Sequence, residues 1–188
     1  NFSLIFQGSN FTVRNGSFVC ADNGSYALYV GDEQETENIV VENITTTGGI
    51  NIYNAHNVIL RNVNVTGTDY YAVWCDENAQ AIIESGTFRT NGVALLGLAE
   101  NKNDVDVNSS LQIMGGCFDT SNDMPLVLED GKDRNEPTIT GGYFTHNPSA
   151  YMAEDKAAVA QTNVIDGVTY YYTVGEKTVD VNTEVSAG

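Results

Sequence analysis

The residues of this 188-residue chain best suited to chemistry are carboxylates, and they gather in four clusters: Asp32, Glu33, Glu35 and Glu37; Asp76 and Glu77; Glu100, Asp104 and Asp106; Glu129, Asp130, Asp133 and Glu136. Each cluster follows a short apolar run of strand-like composition. Paired acids hydrolyse glycosidic bonds when they stand about 5 to 9.5 Å apart, and Asp76 with Glu129 or Asp130 is the pair that could do so. Calcium needs six to eight oxygen ligands, and segments 101–108 and 129–136 offer several. Asp104, Asp106, Asp130 and Asp133 are the candidate ligands, although neither segment follows the EF-hand pattern. The plainest alternative is solvated loop charge, since carboxylates stay at the surface unless paired.

Aromatic rings occupy or flank the same apolar runs: Tyr26, Tyr29, Tyr53, Tyr70, Tyr71 and Trp74. A flat ring can cover the C–H face of a sugar while nearby amides and carboxylates bond its hydroxyls. Tyr53, Tyr70 and Tyr71, with Asp76 and Glu77, form the expected ligand-binding set. Taking Ile50 and Ile52, together with Leu126 and Leu128, as inward positions places Tyr29 and Trp74 in the core. His56 and His146 stand apart from any cysteine or carboxylate pattern. Cys20, Cys75 and Cys117 lack paired spacing and an even count, so a disulfide framework or zinc site is not expected. They read as small buried side chains.

Positioning these groups requires many short strands. The chain carries 25 acidic against 8 basic residues, a formal charge of −17, yet only 18% of its residues are charged. That surface potential opposes nucleic acids and acidic polysaccharides. No apolar run reaches the ~20 residues that span a bilayer. The polar load is instead Asn, Thr, Ser and 18 Gly with only 3 Pro, a composition suited to strands and tight turns. The first residue, Asn1, opens inside an apolar run without a basic leader region, and reads as the start of a mature or excised fragment.

One eight-residue block recurs six times: FTVRNGSF from Phe11, IVVENITT from Ile39, VILRNVNV from Val58, AIIESGTF from Ala81, LQIMGGCF from Leu111 and PTITGGYF from Pro137. Constant blocks with variable spacers describe strands that stack in register while their loops vary. The first and third positions are apolar throughout and belong to one inward face. The fifth position reads Asn15, Asn43, Asn62, Ser85, Gly115, Gly141. Such residues tolerate a left-handed backbone, and stacked Asn amides can bond from one strand to the next. The sixth and eighth positions exchange volume, Gly with Phe in four blocks, Ile44 with Thr46 and Val63 with Val65 in the others. The fourth position alternates in sign, Arg14, Glu42, Arg61, Glu84, and predicts an outward ion-pair ladder.

A second strand follows the blocks, at 26–30, 50–53, 71–75, 93–98 and 125–128. With its Asn bends, residues 4–146 resemble the right-handed single-stranded parallel β-helix of the pectate-lyase-like superfamily. The resemblance implies an all-β solenoid of about six turns over residues 1–146. Residues 147–188 are expected as a small C-terminal helix-hairpin cap of the same structural unit, with a helix from Pro148 through Ala160 and a turn at Asp166-Gly167. The ending GGYFTHNPSAY…YYYTV resembles the GGxF…PSxY…YxV ends of extracellular β-helix modules in Gram-positive gut bacteria. That likeness implies a monomeric bacterial module, secreted or on the cell surface, acting without catalysis as a spacer or adhesin and binding a neutral glycan or a host protein. The alternative is a carbohydrate-active enzyme on a polysaccharide, working through Asp76, Glu129 and Asp130. The superfamily's lyase chemistry sets calcium carboxylates against a base, for which only Lys102, Lys132 and Arg134 fall in suitable loops. No cofactor other than calcium is expected, and no nucleic-acid partner or membrane insertion.

Overall fold

The computed structural model describes residues 4–20, 26–69, 71–92, 95–99, 109–121, 124–130 and 137–178, without the side chains at 32, 98, 99 and 128–130. The chain is all-β. In order, its strands are β1 (Leu4–Phe6), β2 (Phe11–Val19), β3 (Tyr26–Thr47), β4 (Gly49–Thr68), β5 (Val73–Asp76), β6 (Gln80–Ile83), β7 (Gly86–Thr90) and β8 (Leu96–Ala99). They continue as β9 (Ser110–Ile113), β10 (Cys117–Thr120), β11 (Val127–Asp130), β12 (Thr138–Ile139), β13 (Tyr143–Phe144), β14 (Lys156–Ile165) and β15 (Val168–Glu176). All fifteen join one mixed, nearly closed, barrel-like sheet.

The repeated blocks meet in parallel and in register. Val13, Val41, Leu60, Ile83, Ile113 and Ile139 pair successively, and all but Val13 are fully buried. Further along each block, Phe18, Thr46, Val65, Phe88, Phe118 and Phe144 form a second column. The rings of Phe88 and Phe118 stack 5.2 Å apart at 8°, and those of Phe118 and Phe144 5.0 Å apart at 10°. The expected volume exchange fits this stack: a Cβ on Gly142 would sit 3.1 Å from the Phe144 ring and one on Gly116 3.3 Å from the Phe118 ring, so these two rings fold over their own glycines.

Asparagine holds the bends in two ladders. Asn15, Asn43 and Asn62 all have positive φ, as do Asn10, Asn38 and Asn57 just before their blocks. Asn43 donates to Asn15 and Asn62 to Asn43, at 3.3 and 2.9 Å. The second ladder, not anticipated above, runs from Asn57 to Asn38 and from Asn38 to Asn10. The charged column is present as well: Glu42 lies 3.9 Å from Arg14 and 3.4 Å from Arg61, and Arg61 bonds Glu84 at 2.6 Å.

The C-terminal segment differs from the expected helix-hairpin cap in lacking the helix, while the turn at Asp166-Gly167 is present. Among the described residues there is no α-helix: only Ser149–Tyr151 forms a single 3-10 turn, and residues 156–165 are strand β14. The alanines of this segment favour helix weakly, by tenths of a kcal/mol each, and strand pairing outweighs that preference. Asp166 and Gly167 take φ of 50° and 77°, the primed turn that matches strand twist, and β14 pairs antiparallel with β15. β15 then pairs antiparallel with β13, setting Tyr172 beside Phe144, and Tyr172 and Val174 pack on the core. Tyr171 alternates outward and is 54% exposed.

Candidate functional site

A third set of parallel pairings builds the face that carries the aromatic residues. Leu28, Ile50, Val73 and Leu96 align, as do Val30, Ile52 and Cys75, and all are fully buried. Alternation sends the residues between them to the other face. There Tyr29, Asn51 and Trp74 lie side by side, and two residues on, Gly31, Tyr53 and Asp76 form the next column.

This corrects the expectation that Tyr29 and Trp74 are core residues. The pairing partner of Leu96 is Val127, so Leu126 and Leu128 do not mark the inward positions of β11. Leu126 is nonetheless buried, which is why its apolar character misleads. Tyr29 and Trp74 are half-buried on the outer face.

The rings form two groups on either side of Asn51. Tyr29 and Tyr53 have centroids 5.7 Å apart, Tyr26 and Trp74 5.5 Å, and Tyr71 and Trp74 5.4 Å. Glycines make room for them. A Cβ on Gly97, the residue paired with Trp74, would fall 2.7 Å from the Tyr71 ring, so Tyr71 lies across Gly97. From Tyr29 to Gly97 the patch crosses three strand spacings, roughly 14 Å.

Polar groups gather at one end. Glu77, held at a φ of 52°, donates its backbone N–H to Asp76 Oδ1 at 2.9 Å. Burial raises the Asp76 carboxyl above its usual range, while that N–H and the Asn51 amide draw it back. Burial and then the charge of Asp76 raise Glu77; burial raises Tyr53, followed by Glu77, Asp76 and Glu33. Asn51 is only 2% exposed, and its Oδ1 is buried with no hydrogen-bond partner.

No protein-family model, curated protein or solved structure matches the chain. The chemistry of the site is therefore that of its own groups. Of the expected ligand-binding set, Tyr53, Asp76 and Glu77 adjoin, Tyr71 lies against Trp74, and Tyr70 lies outside the described residues. Tyr29, Trp74 and Asn51 join them unanticipated; the signal was the alternation of Leu28 with Val30 and of Val73 with Cys75.

The remaining candidates fall elsewhere. Extending the β5–β8 register by one residue puts Asp76 in the column of Ala99 and Asp130, two spacings or roughly 9.6 Å from Asp130. Glu129 shares the column of Cys75 and Leu98. The side chains of Glu129 and Asp130 are outside the description, as are Asp104, Asp106 and Asp133 altogether. Among the described residues no three His, Cys, Asp or Glu side chains gather in a way that could hold a metal ion. His56 does not stand apart as expected: its Nδ1 lies 3.2 Å from Glu35. Burial, with Asp76 adding to it, pushes the Cys75 thiol up to about 12, which keeps it protonated and unreactive.

A separate groove of about 380 Å³ lies on the face of the repeated blocks, lined by Asn57, Gln80, Ile82, Ser110, Gln112 and Thr138 among others. It offers hydrogen bonds but neither a ring to stack on nor a charge.

Proposed function

We propose that the chain is a right-handed single-stranded β-helix module, extracellular or on the cell surface, that binds a glycan without catalysis. The β-helix reading is supported by the in-register parallel pairing of six blocks and by the two Asn ladders at their bends. The single observation behind the binding reading is the outward patch of Tyr29, Tyr53, Tyr71 and Trp74, bordered by Asp76, Glu77 and Asn51. Rings supply stacking area, and the carboxylates and amide supply orientation.

The enzymatic reading draws on one feature, the shared column of Asp76 and Asp130. Their backbones stand two strand spacings apart, roughly 9.6 Å, just beyond the ~6.5–9.5 Å carboxyl separation of an inverting pair. The test is a glycan array read alongside reducing-sugar release on the same oligosaccharides. Binding that falls at least tenfold in Tyr53→Ala and Trp74→Ala, with no sugar released, supports the module. Sugar release abolished by Asp76→Asn establishes the enzyme instead.

A further inference from the structure

The sheet of repeated blocks has an open side at β2. Among the described residues, β2 pairs with β3 along one edge and with no strand along the other. Its inward residues show the consequence: Phe11, Val13 and Phe18 are only half-buried, whereas Ile39, Val41 and Thr46, their partners in the next block, are fully buried. Phe6 joins this end, its ring 6.3 Å from Phe11 and 6.2 Å from Phe18, and beside it Leu4 and Ile5 are 40% and 48% exposed. An edge of this kind is a template for one more strand.

Three features state what that strand must carry. Asn10 and Asn15 begin the two ladders: each accepts from the following asparagine, and neither amide hydrogen finds an acceptor among the described residues. Arg14 begins the charged column; its side chain is 67% exposed, and the one carboxylate beside it, Glu42 at 3.9 Å, is shared with Arg61 at 3.4 Å. The alternation Arg14, Glu42, Arg61, Glu84 therefore calls for an acid on the open side. Half-buried Phe11 and Val13 call for apolar residues at alternate positions. We propose that this edge docks an acidic β-strand of a partner protein, parallel to β2 and in the pattern Asn-apolar-x-apolar-acid-Asn, its acid opposite Arg14 and its two asparagine oxygens receiving Asn10 and Asn15. Main-chain bonds supply the affinity and those side chains the register. Stacked end to end, a second copy would instead present β14, which closes the far end of the same sheet; its sequence, KAAVAQTNVI, has no carboxylate to set against Arg14. The chain's charge of −17 opposes any acidic partner, yet at physiological salt that field is screened beyond roughly 8 Å, which leaves the contact with Arg14 to decide.

Fluorescence anisotropy tests this with a labelled peptide of residues 36–47, TENIVVENITTT, titrated with the full chain at physiological salt. Two relatives accompany it, one with arginine at the position of Glu42 and one with alanine at the positions of Asn38 and Asn43. The parent peptide should bind saturably, the arginine peptide about tenfold more weakly and the alanine peptide severalfold more weakly. Arg14→Glu, checked for an unchanged fold by circular dichroism, should reverse the order of the first two peptides, which neither non-specific adhesion nor addition at another edge would do. No binding of the parent peptide, or equal binding of all three, overturns the docking site. An order unchanged in Arg14→Glu places the peptide elsewhere and overturns it too. Sedimentation velocity of the chain alone should show a monomer; concentration-dependent self-association abolished by Arg14→Glu would make a second copy the occupant and overturn the partner strand.

Discussion

Asn57 donates its side-chain amide to Asn38 Oδ1 at 2.8 Å, and Asn38 donates in turn to Asn10 at 3.1 Å. Asn38 also sits at a φ of 58°, so one residue serves both backbone and ladder. Asn38→Ala should cost about 2–3 kcal/mol, from left-handed strain and the lost bonds together. Asn38→Gly removes only the bonds and should recover about half. Thermal melts of the two variants separate the contributions; equal losses would show that backbone strain contributes nothing here.

Glu42 stands between Arg14 and Arg61. Glu42→Arg would place three guanidinium groups in one column and should lower the melting temperature by roughly 2–5 °C, more at low salt than at high. An unchanged melt at low salt would remove the charged column from the forces that set strand register.

The carboxyls of Asp76 and Glu77 are raised in the folded chain, so folding takes up protons there. Their contribution to stability is complete below the unfolded-state values and is lost as pH rises through the folded ones. Asp76→Asn should therefore raise the melting temperature at pH 7 by ~2 °C and flatten its rise as pH falls toward the ordinary carboxylate range. A variant that melts lower at pH 7 would mean that the buried carboxylate is compensated.

Gly97 seats the Tyr71 ring. Gly97→Ala should displace that flexible side chain while leaving the core intact, keeping the melting temperature within ~2 °C and weakening oligosaccharide binding severalfold. Unaltered affinity would exclude Tyr71 from the binding surface.

The block columns were legible because one face is wholly buried: a single-residue slip at Val41 or Leu60 would turn every apolar side chain outward. The aromatic face was not, because Leu126 and Val127 are both buried and only the pairing of Val127 with Leu96 settles the parity. Asn51 was hidden for a related reason, since INIY reads as an ordinary alternating strand and the burial of Asn51 depends on Tyr29 and Trp74 from neighbouring strands. The second ladder was visible in the spacing, as Asn10, Asn38 and Asn57 each stand one residue before a block. Residues 156–165 escaped because local preference for helix gave way to pairing with β15.

Each bond of the two ladders runs backward along the chain, and the middle residues, Asn38 and Asn43, both donate to the preceding asparagine and accept from the following one. Each repeat thus presents the same connectors at its two sides, like identical links. A repeat inserted or deleted within the ladder would leave no amide stranded, so gene duplication can lengthen or shorten this part of the protein at little cost. The aromatic patch has no such freedom: Tyr29, Asn51 and Trp74 come from three successive repeats, and an insertion between any two of them would divide it.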